Sequence, residues 1–548
     1  MSGIKKSRRI SIGVEYLLDQ LYEQESVEIF VHIKESGEFA AIPYLKSFLF
    51  SQSPEIVRAA ENAISDLLLQ CPVSELIWLN ERCREILPFH YQQRGKAWIE
   101  LQPETVLHWS NDIHPIQIIM ASFHWDGYVR EVAVRRLSQF QNGSEIPWLL
   151  IRLNDWVSPI RFKAYRALKQ KIHIRNIEYF IQSIWLVQRL VGRGKEHHEL
   201  LNTQIQQLIA QPEAQLAVTH HLHSPDVYIR KFCYSMMLQT EAADQYFLLT
   251  SALQDQALAI RLWAARQIDR MIELDQCSSE KISDQWLDIV YMMLADHFPA
   301  LRRLALDILS YHFPMQAETA LIAGLLSHNL TIRETARRHL SKIKPISYVE
   351  YYLDQIWNGD ESSLAIAIAG LGETGSAEDA EVIAEYKDHT QIKVRKAVLI
   401  ALSKLQPTAY IDVFSQALED PQPSVSKIAK HTLIQYTYML DRERLIQIVL
   451  HRPLSYITQN TLRILFNFDF WQSLDSLLRI LFQTEHIIVQ NMVKQLLDSW
   501  ITKANSQFRV ELSTEMKQQL LGYIDQSTNV LDQQKRRTLE WIIQFDSK

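Results

Sequence analysis

The sequence predicts an all-α solenoid, a superhelix of short helix pairs stacked one beside the next. Three observations predict it. One segment pattern recurs at steps near 31 residues through most of the chain. Glycine is scarce, at 14 residues, too few for the turns of a sheet-rich fold or for phosphate-cradling loops. Finally, 548 residues exceed one ordinary compact core, which leaves a repeat array or several domains. A composition of 47% hydrophobic and 22% charged residues is that of a folded protein and excludes wholesale disorder.

The pattern is visible in GYVREVAVRRL, SPIRFKAYRAL, VYIRKFCYSMM, LAIRLWAARQI, PALRRLALDIL, LTIRETARRHL, IKVRKAVLIAL and PSVSKIAKHTL. Taking the usual Arg as position zero, the segments are anchored at 130, 161, 230, 261, 302, 333, 395 and 426. The steps are 31, 69, 31, 41, 31, 62 and 31. The 62-residue step predicts a unit with Leu364 at zero, and Ala367 and Leu371 follow as required. Further units fit with Ile457–Thr458, Thr461 and Leu465, with Val489–Gln490, Val493 and Leu497, and earlier with Val57, Ala60 and Ile64.

The plus-seven column is aliphatic throughout, including Leu137, Leu168, Met237, Leu309 and Leu402. The plus-three column is mostly Ala, as at Ala133, Ala164, Ala264, Ala305 and Ala336. Positions minus one, plus three and plus seven share one face of a 3.6-residue helix. Small residues at plus three let a neighbouring helix approach, and the aliphatics fill the layer on either side. Pro54, Pro159, Pro225, Pro299 and Pro423 mark helix starts. A unit of this length holds two helices of about three turns each and two short turns. One pair cannot bury its apolar face alone, whereas stacked pairs can.

An Asp followed six residues later by an Arg, itself after Val, Ile or Leu, resembles the HEAT repeat. The short period resembles the bacterial type named for phycobilin lyase subunits. Asp155–Arg161, Asp255–Arg261 and Asp296–Arg302 carry the motif; Asp388–Arg395 is one residue longer, and Asp420 stands ahead of Ser426. The resemblance implies that these residues form a structural ladder between successive repeats. It covers 120–500 well and 40–70 weakly. The TPLH and W-LG-Y signatures of ankyrin and TPR units are absent.

The expected organisation runs from N-terminal helices with a degenerate repeat (1–70) to an aperiodic helical stretch rich in aromatics and His (71–125). HEAT-like repeats (126–171) follow, then an irregular insertion (172–223) with a Gly192–Lys195 loop. More repeats (224–500) and capping helices (501–548) complete it.

The net charge of -6 gives no global reason to expect nucleic acid or an anionic membrane. Four cysteines without a CxxC, and no apolar run long enough to span a bilayer, predict a cytoplasmic protein with no membrane association. No P-loop, Rossmann, GxSxG or kinase signature occurs, so no catalysis and no cofactor is expected. His220, His221 and His223 invite a metal reading, but adjacent histidines on a helix end point in different directions, and no metal is expected. Cys83, His90, His108, His114 and His124 lie in the aperiodic stretch without an HExxH or paired CxxC frame. Trp98, Trp109, Trp125, Trp148 and Trp156 cluster near Tyr91 and Tyr128, and burial in an irregular layer is their simplest explanation.

The plus-five column falls off the apolar stripe and carries Arg135, Arg166, Arg266, Arg338 and Arg463. In HEAT proteins the second helix of each pair lines the concave side, so these residues are expected to face the groove. Lys163, Lys169, Lys171, Arg337 and Lys342 are expected to add charge there. The sequence therefore predicts a scaffold that holds a protein partner, one with an acidic surface, through Arg135, Arg166, Arg266, Arg338 and Lys169. A nucleic-acid backbone bound on the same basic face, and a phycobilin-lyase-like enzyme subunit, are the alternatives.

Overall fold

The computed structural model describes residues 8–85, 96–189, 196–240, 244–278, 284–452, 456–504, 512–526 and 530–545. His90, Tyr91 and the Gly192–Lys195 segment lie outside them. All regular structure among the described residues is helical. No described helix is long and apolar enough to cross a membrane.

Every template segment lies on one helix. In chain order these are α1 (Pro54–Gln70), α2 (Gly127–Leu137), α3 (Ser158–Lys171), α4 (Val227–Met237), α5 (Leu258–Ser278) and α6 (Pro299–His312). They continue with α7 (Leu330–Ile343), α8 (Leu364–Thr374), α9 (Ile392–Leu405), α10 (Pro423–Leu433), α11 (Tyr456–Phe466) and α12 (Ile487–Ala504). Pro54, Pro159, Pro299 and Pro423 occupy the first turn of their helices, where a missing N–H costs nothing. Asp126 and Asp226 begin α2 and α4 instead, each accepting a hydrogen bond from the backbone two residues on.

A first helix packs on most of these. Ile146–Arg152 lies against α3, Pro314–Leu325 against α7, Tyr348–Asn358 against α8 and Arg442–His451 against α11. The second helices also pack on one another in sequence: α2 on α3, α6 on α7, α8 on α9, α9 on α10 and α10 on α11. Such stacking requires side chains small enough for helices to meet. The plus-three residues Ala133, Ala164, Ala264, Ala305, Ala336, Ala367 and Ala429 are wholly buried. So are Leu137, Leu168, Ile268, Leu309, Leu340, Leu371, Leu402, Leu433, Leu465 and Leu497 at plus seven. Met237 departs from the column: it is half-buried and lines an open cavity with Met236, Ile209 and Val218. Gly372 lets α8 lie close on α9: a Cβ there would come within 2.4 Å of the Ala401 Cβ.

The chain divides into two units, Met1–Ile268 and Asp269–Lys548. The first includes the aperiodic stretch, which folds as short helices, among them Leu76–Arg84, Pro103–His108 and Pro115–Ala121. In the first unit a core runs from Val14 to Cys233. The second unit holds the repeats from α6 onward, followed by Thr514–Gln526 and Gln533–Phe545.

Candidate partner-binding face and the arginine ladder

The end of each first helix leaves backbone carbonyls without helical partners. The residue at position zero satisfies one of them. Arg130 Nη1 donates to the His124 carbonyl at 3.0 Å and Arg161 Nη1 to that of Asp155 at 2.8 Å. Arg230 reaches Ser224 at 2.7 Å, Arg261 reaches Asp255 at 2.7 Å, Arg333 reaches Ser327 at 2.6 Å and Arg395 reaches His389 at 2.8 Å. Where arginine is missing, other donors take the same carbonyl: Thr458 Oγ1 that of Arg452, and Gln490 Nε2 that of Thr484 at 2.9 Å. In these eight contacts the acceptor is six residues back. A cation there also meets the negative end of the helix that precedes it.

Within one unit the Asp and the Arg six residues on meet through the backbone carbonyl, and the carboxylate contacts run between successive repeats. Arg161 and Arg261 hydrogen-bond the backbone of Asp155 and Asp255, and the carboxylates turn to the preceding repeat. Arg130 grips Asp155 with Nε and Nη2, both at 2.9 Å, and Arg230 grips Asp255 at 2.8 Å twice. Arg395 holds Asp420 at 2.8 and 3.0 Å. The partner lies 25 residues along, one repeat length less the six-residue offset, because sideways stacking sets each arginine beside the next turn. Asp388 is exposed, and the Asp partner of Arg395 is Asp420 rather than Asp388. Arg333 reaches farther, to Glu373 on α8, which Arg337 also holds at 3.0 Å. Asp296 accepts from the Phe298 N–H at 2.7 Å, and Arg302 keeps a buried Nε at position zero of α6. At Ser426 a hydroxyl stands in for the guanidinium, donating to the Leu418 carbonyl and accepting from Asn460 at 2.9 Å.

One rung of this ladder is unlike the others. Asp155 is buried and receives three arginines: Arg130, Arg152 at 2.9 Å and Arg84 at 3.1 Å. Its Oδ1 also accepts from the Val157 N–H at 3.1 Å. Burial pulls the Asp155 pKa up, but the Arg130 hydrogen bonds and the charge of Arg152 more than reverse this, and the carboxyl titrates below its ordinary range. Arg152 is pushed down to about 9 and Arg84 to about 10, by burial and then by the other guanidiniums. Both remain cationic at neutral pH.

The plus-five residues Arg135, Arg166, Arg266, Arg338 and Arg463 are exposed, as is Lys169. Their register is physical: Arg338 Nη2 lies 2.6 Å from Asp307, the plus-five residue of the preceding helix α6. On α2 and α3 the neighbouring surface is also continuous, since Lys163 meets Glu131 at 3.1 Å. Arg135 and Arg166 occupy equivalent places on these two packed helices, and neither has an ion-pair partner among the described residues. Three cations expected on this face are otherwise engaged. Lys171 is buried against Glu145 at 2.5 Å, Arg337 is tied to Glu373 and Tyr352, and Lys163 is neutralised by Glu131. A helix of 3.6 residues per turn carries Lys171 round to the buried side, which counting basic residues cannot reveal.

The described histidines of the aperiodic stretch, and its Cys83, are held within the fold's own contacts. His124 Nε2 bonds the Trp98 carbonyl at 2.7 Å while its Nδ1 accepts from the Asp126 N–H. His114 caps its own helix and His108 bonds the Glu104 carbonyl. Burial pushes the Cys83 thiol up to about 12, far from a nucleophilic thiolate. Of the three downstream histidines, His220 and His221 come together with Glu178, their ligand-type atoms within 4.8 Å of one another. His221 Nε2 pairs with Glu178 at 2.5 Å, and His223 is exposed and outside the group. Trp98 and Trp148 are buried, whereas Trp125 and Trp156 are exposed, against the expectation of a fully buried aromatic layer.

The described residues thus define an all-α solenoid of stacked two-helix repeats. No protein-family model matches the chain, and no curated protein matches it either. Among solved structures it is similar to importin β, at 12% identity and a TM-score of 0.32, over 96% of this chain and 65% of that one. It is also similar to the S. pombe condensin Cnd3–Cnd2 subcomplex, at 12% identity and a TM-score of 0.24, over 98% of this chain and 94% of that one. The chain therefore spans just under two thirds of the importin β chain. At such TM-scores the likenesses carry no inference about partners.

Proposed function

We propose that the chain is a HEAT-type repeat scaffold that binds a protein partner through the face carrying the plus-five side chains, with no catalysis of its own. The observation that carries this reading is the unpaired state of Arg135 and Arg166, exposed at equivalent positions on adjacent helices. Exposed guanidiniums without a carboxylate partner of their own favour a surface presenting carboxylates. Arg266 and Lys169 add exposed charge in the first unit; in the second, Arg338 is already held by Asp307. Binding would come from many shallow contacts on a preorganised surface, with little ordering cost. The double reversal Arg135→Glu with Arg166→Glu is expected to weaken capture of the partner from native cell extract at least tenfold in a pull-down titration. Unchanged capture removes this face from the binding surface.

A further inference from the structure

The cluster around Asp155 opens into a cavity of about 240 Å³ in the first unit. Asn80, Arg84, Arg152, Asn154, Trp156 and Arg189 line it. The cavity is smaller than the ~300 Å³ at which drug-sized sites begin, so it suits a small ligand or one group of a larger one. Its chemistry is cationic. Its lining holds three guanidiniums, those of Arg84, Arg152 and Arg189, against the carboxylates of Asp155 and exposed Glu81, and Asp155 is also gripped by Arg130.

Asp155 cannot balance them, because its Oδ2 already accepts from three arginines and its Oδ1 from Arg130 and a backbone N–H. Donors are left over. Arg152 is 1% exposed, and among the described residues its Nε is buried without a hydrogen-bond partner, as is the Arg84 Nε. An unmatched N–H of a buried guanidinium is costly, and an oxyanion is the group that satisfies it best. Trp156 forms the outer wall, with Arg84 and Arg130 stacked on its ring at 4.3 and 4.5 Å.

We infer that this cavity binds an oxyanion of the phosphate type, either free or carried as a phosphoryl group on a larger molecule. The two sources share one chemistry: a compact tetrahedral anion accepting from Arg84 and Arg152, with Arg189 at the rim. Carboxylates fit less well, since a planar group engages one fork at a time, whereas these donors come from separate helices.

The test is a calorimetric titration of the full chain with inorganic phosphate at constant ionic strength, with indole emission followed in parallel. Saturable 1:1 binding with a change in emission that Trp156→Phe abolishes is expected. Arg84→Gln should weaken binding about tenfold or more, and Arg189→Gln several-fold. Lys404→Gln, which removes an equal charge from an exposed site in the second unit, should leave it unchanged. Circular dichroism checks that each variant is folded, and the mild rim substitution Arg189→Gln keeps the question open to measurement if Arg84→Gln does not fold. A phosphoserine peptide that binds more tightly than phosphate places the source on a macromolecule; equal binding places it on the free anion. Absence of saturable binding at millimolar phosphate, wild-type affinity in both arginine variants, or equal binding of the unphosphorylated peptide would overturn the inference.

Discussion

Asp155 in the first unit and Asp475 in the second are both buried aspartates between stacked helices, and they are treated oppositely. Asp155 has three arginines and titrates low. Asp475 has Arg442 Nη1 at 2.9 Å and the Gln519 amide at 2.9 Å. Burial outweighs the attraction of Arg442 and Arg479 there, and the Asp475 carboxyl is pushed up. The contrast shows that a buried aspartate does not by itself fix the sign of its contribution. The number of guanidiniums around it does. The first unit carries an excess of cation at its node, and the second a deficit.

The sharpest way to break the comparison is to remove both charges. Asp155→Asn leaves three guanidiniums confined together and is expected to destabilise the first unit by about 3–5 kcal/mol in urea unfolding. A loss below about 1 kcal/mol would show that the arginines find other partners. Acid titration sharpens the same point. Asp155, depressed in the fold, contributes stability that is fully present above the unfolded value near ~4 and lost as pH falls through its folded value. Asp475, raised in the fold, does the reverse: its cost is complete above its folded pKa and vanishes as pH falls toward the unfolded one. Between these limits the second unit gains from mild acid while the first does not, which amide exchange resolved by unit would detect.

The ladder supplies a smaller effect. Arg395→Ala removes both the carbonyl contact and the Asp420 grip and should cost about 1–2 kcal/mol. Gln490→Ala loses only the carbonyl contact and should cost about 1 kcal/mol or less. Asp475→Asn closes the series. It keeps an acceptor for Gln519 and is expected to change stability by less than about 1 kcal/mol, in the stabilising direction at pH above the raised folded pKa of Asp475. A large destabilisation would show that the Arg442 pair outweighs the burial cost.

The apolar columns were legible because helix periodicity writes them directly: Leu137, Leu168, Leu309 and Leu402 are all buried, as the pattern requires. Which carboxylate each arginine holds was not. Spacing showed Asp155 and Arg161 six apart, yet a side chain in a stacked array turns to its lateral neighbour, and a one-dimensional offset contains no lateral information. The Asp155 node was missed for a second reason. Arg84 sits in the aperiodic stretch and Arg152 on a first helix, so neither falls in a repeating column. An arginine three residues before a turn aspartate was the one available signal, at Arg152. Lys171 and Arg337 misled in the opposite way, since exposure at their positions depends on local helix phase rather than on composition.

The carbonyl contact six residues back has a consequence for how such an array can vary. It needs one donor of adequate reach, and Arg, Thr and Gln all provide one. Mechanical closure of a turn is therefore separable from the electrostatic field around it. Exchanging Arg for Gln at a rung redraws the surface potential while the backbone keeps its path, so the array can be retuned toward a differently charged ligand without rebuilding its frame.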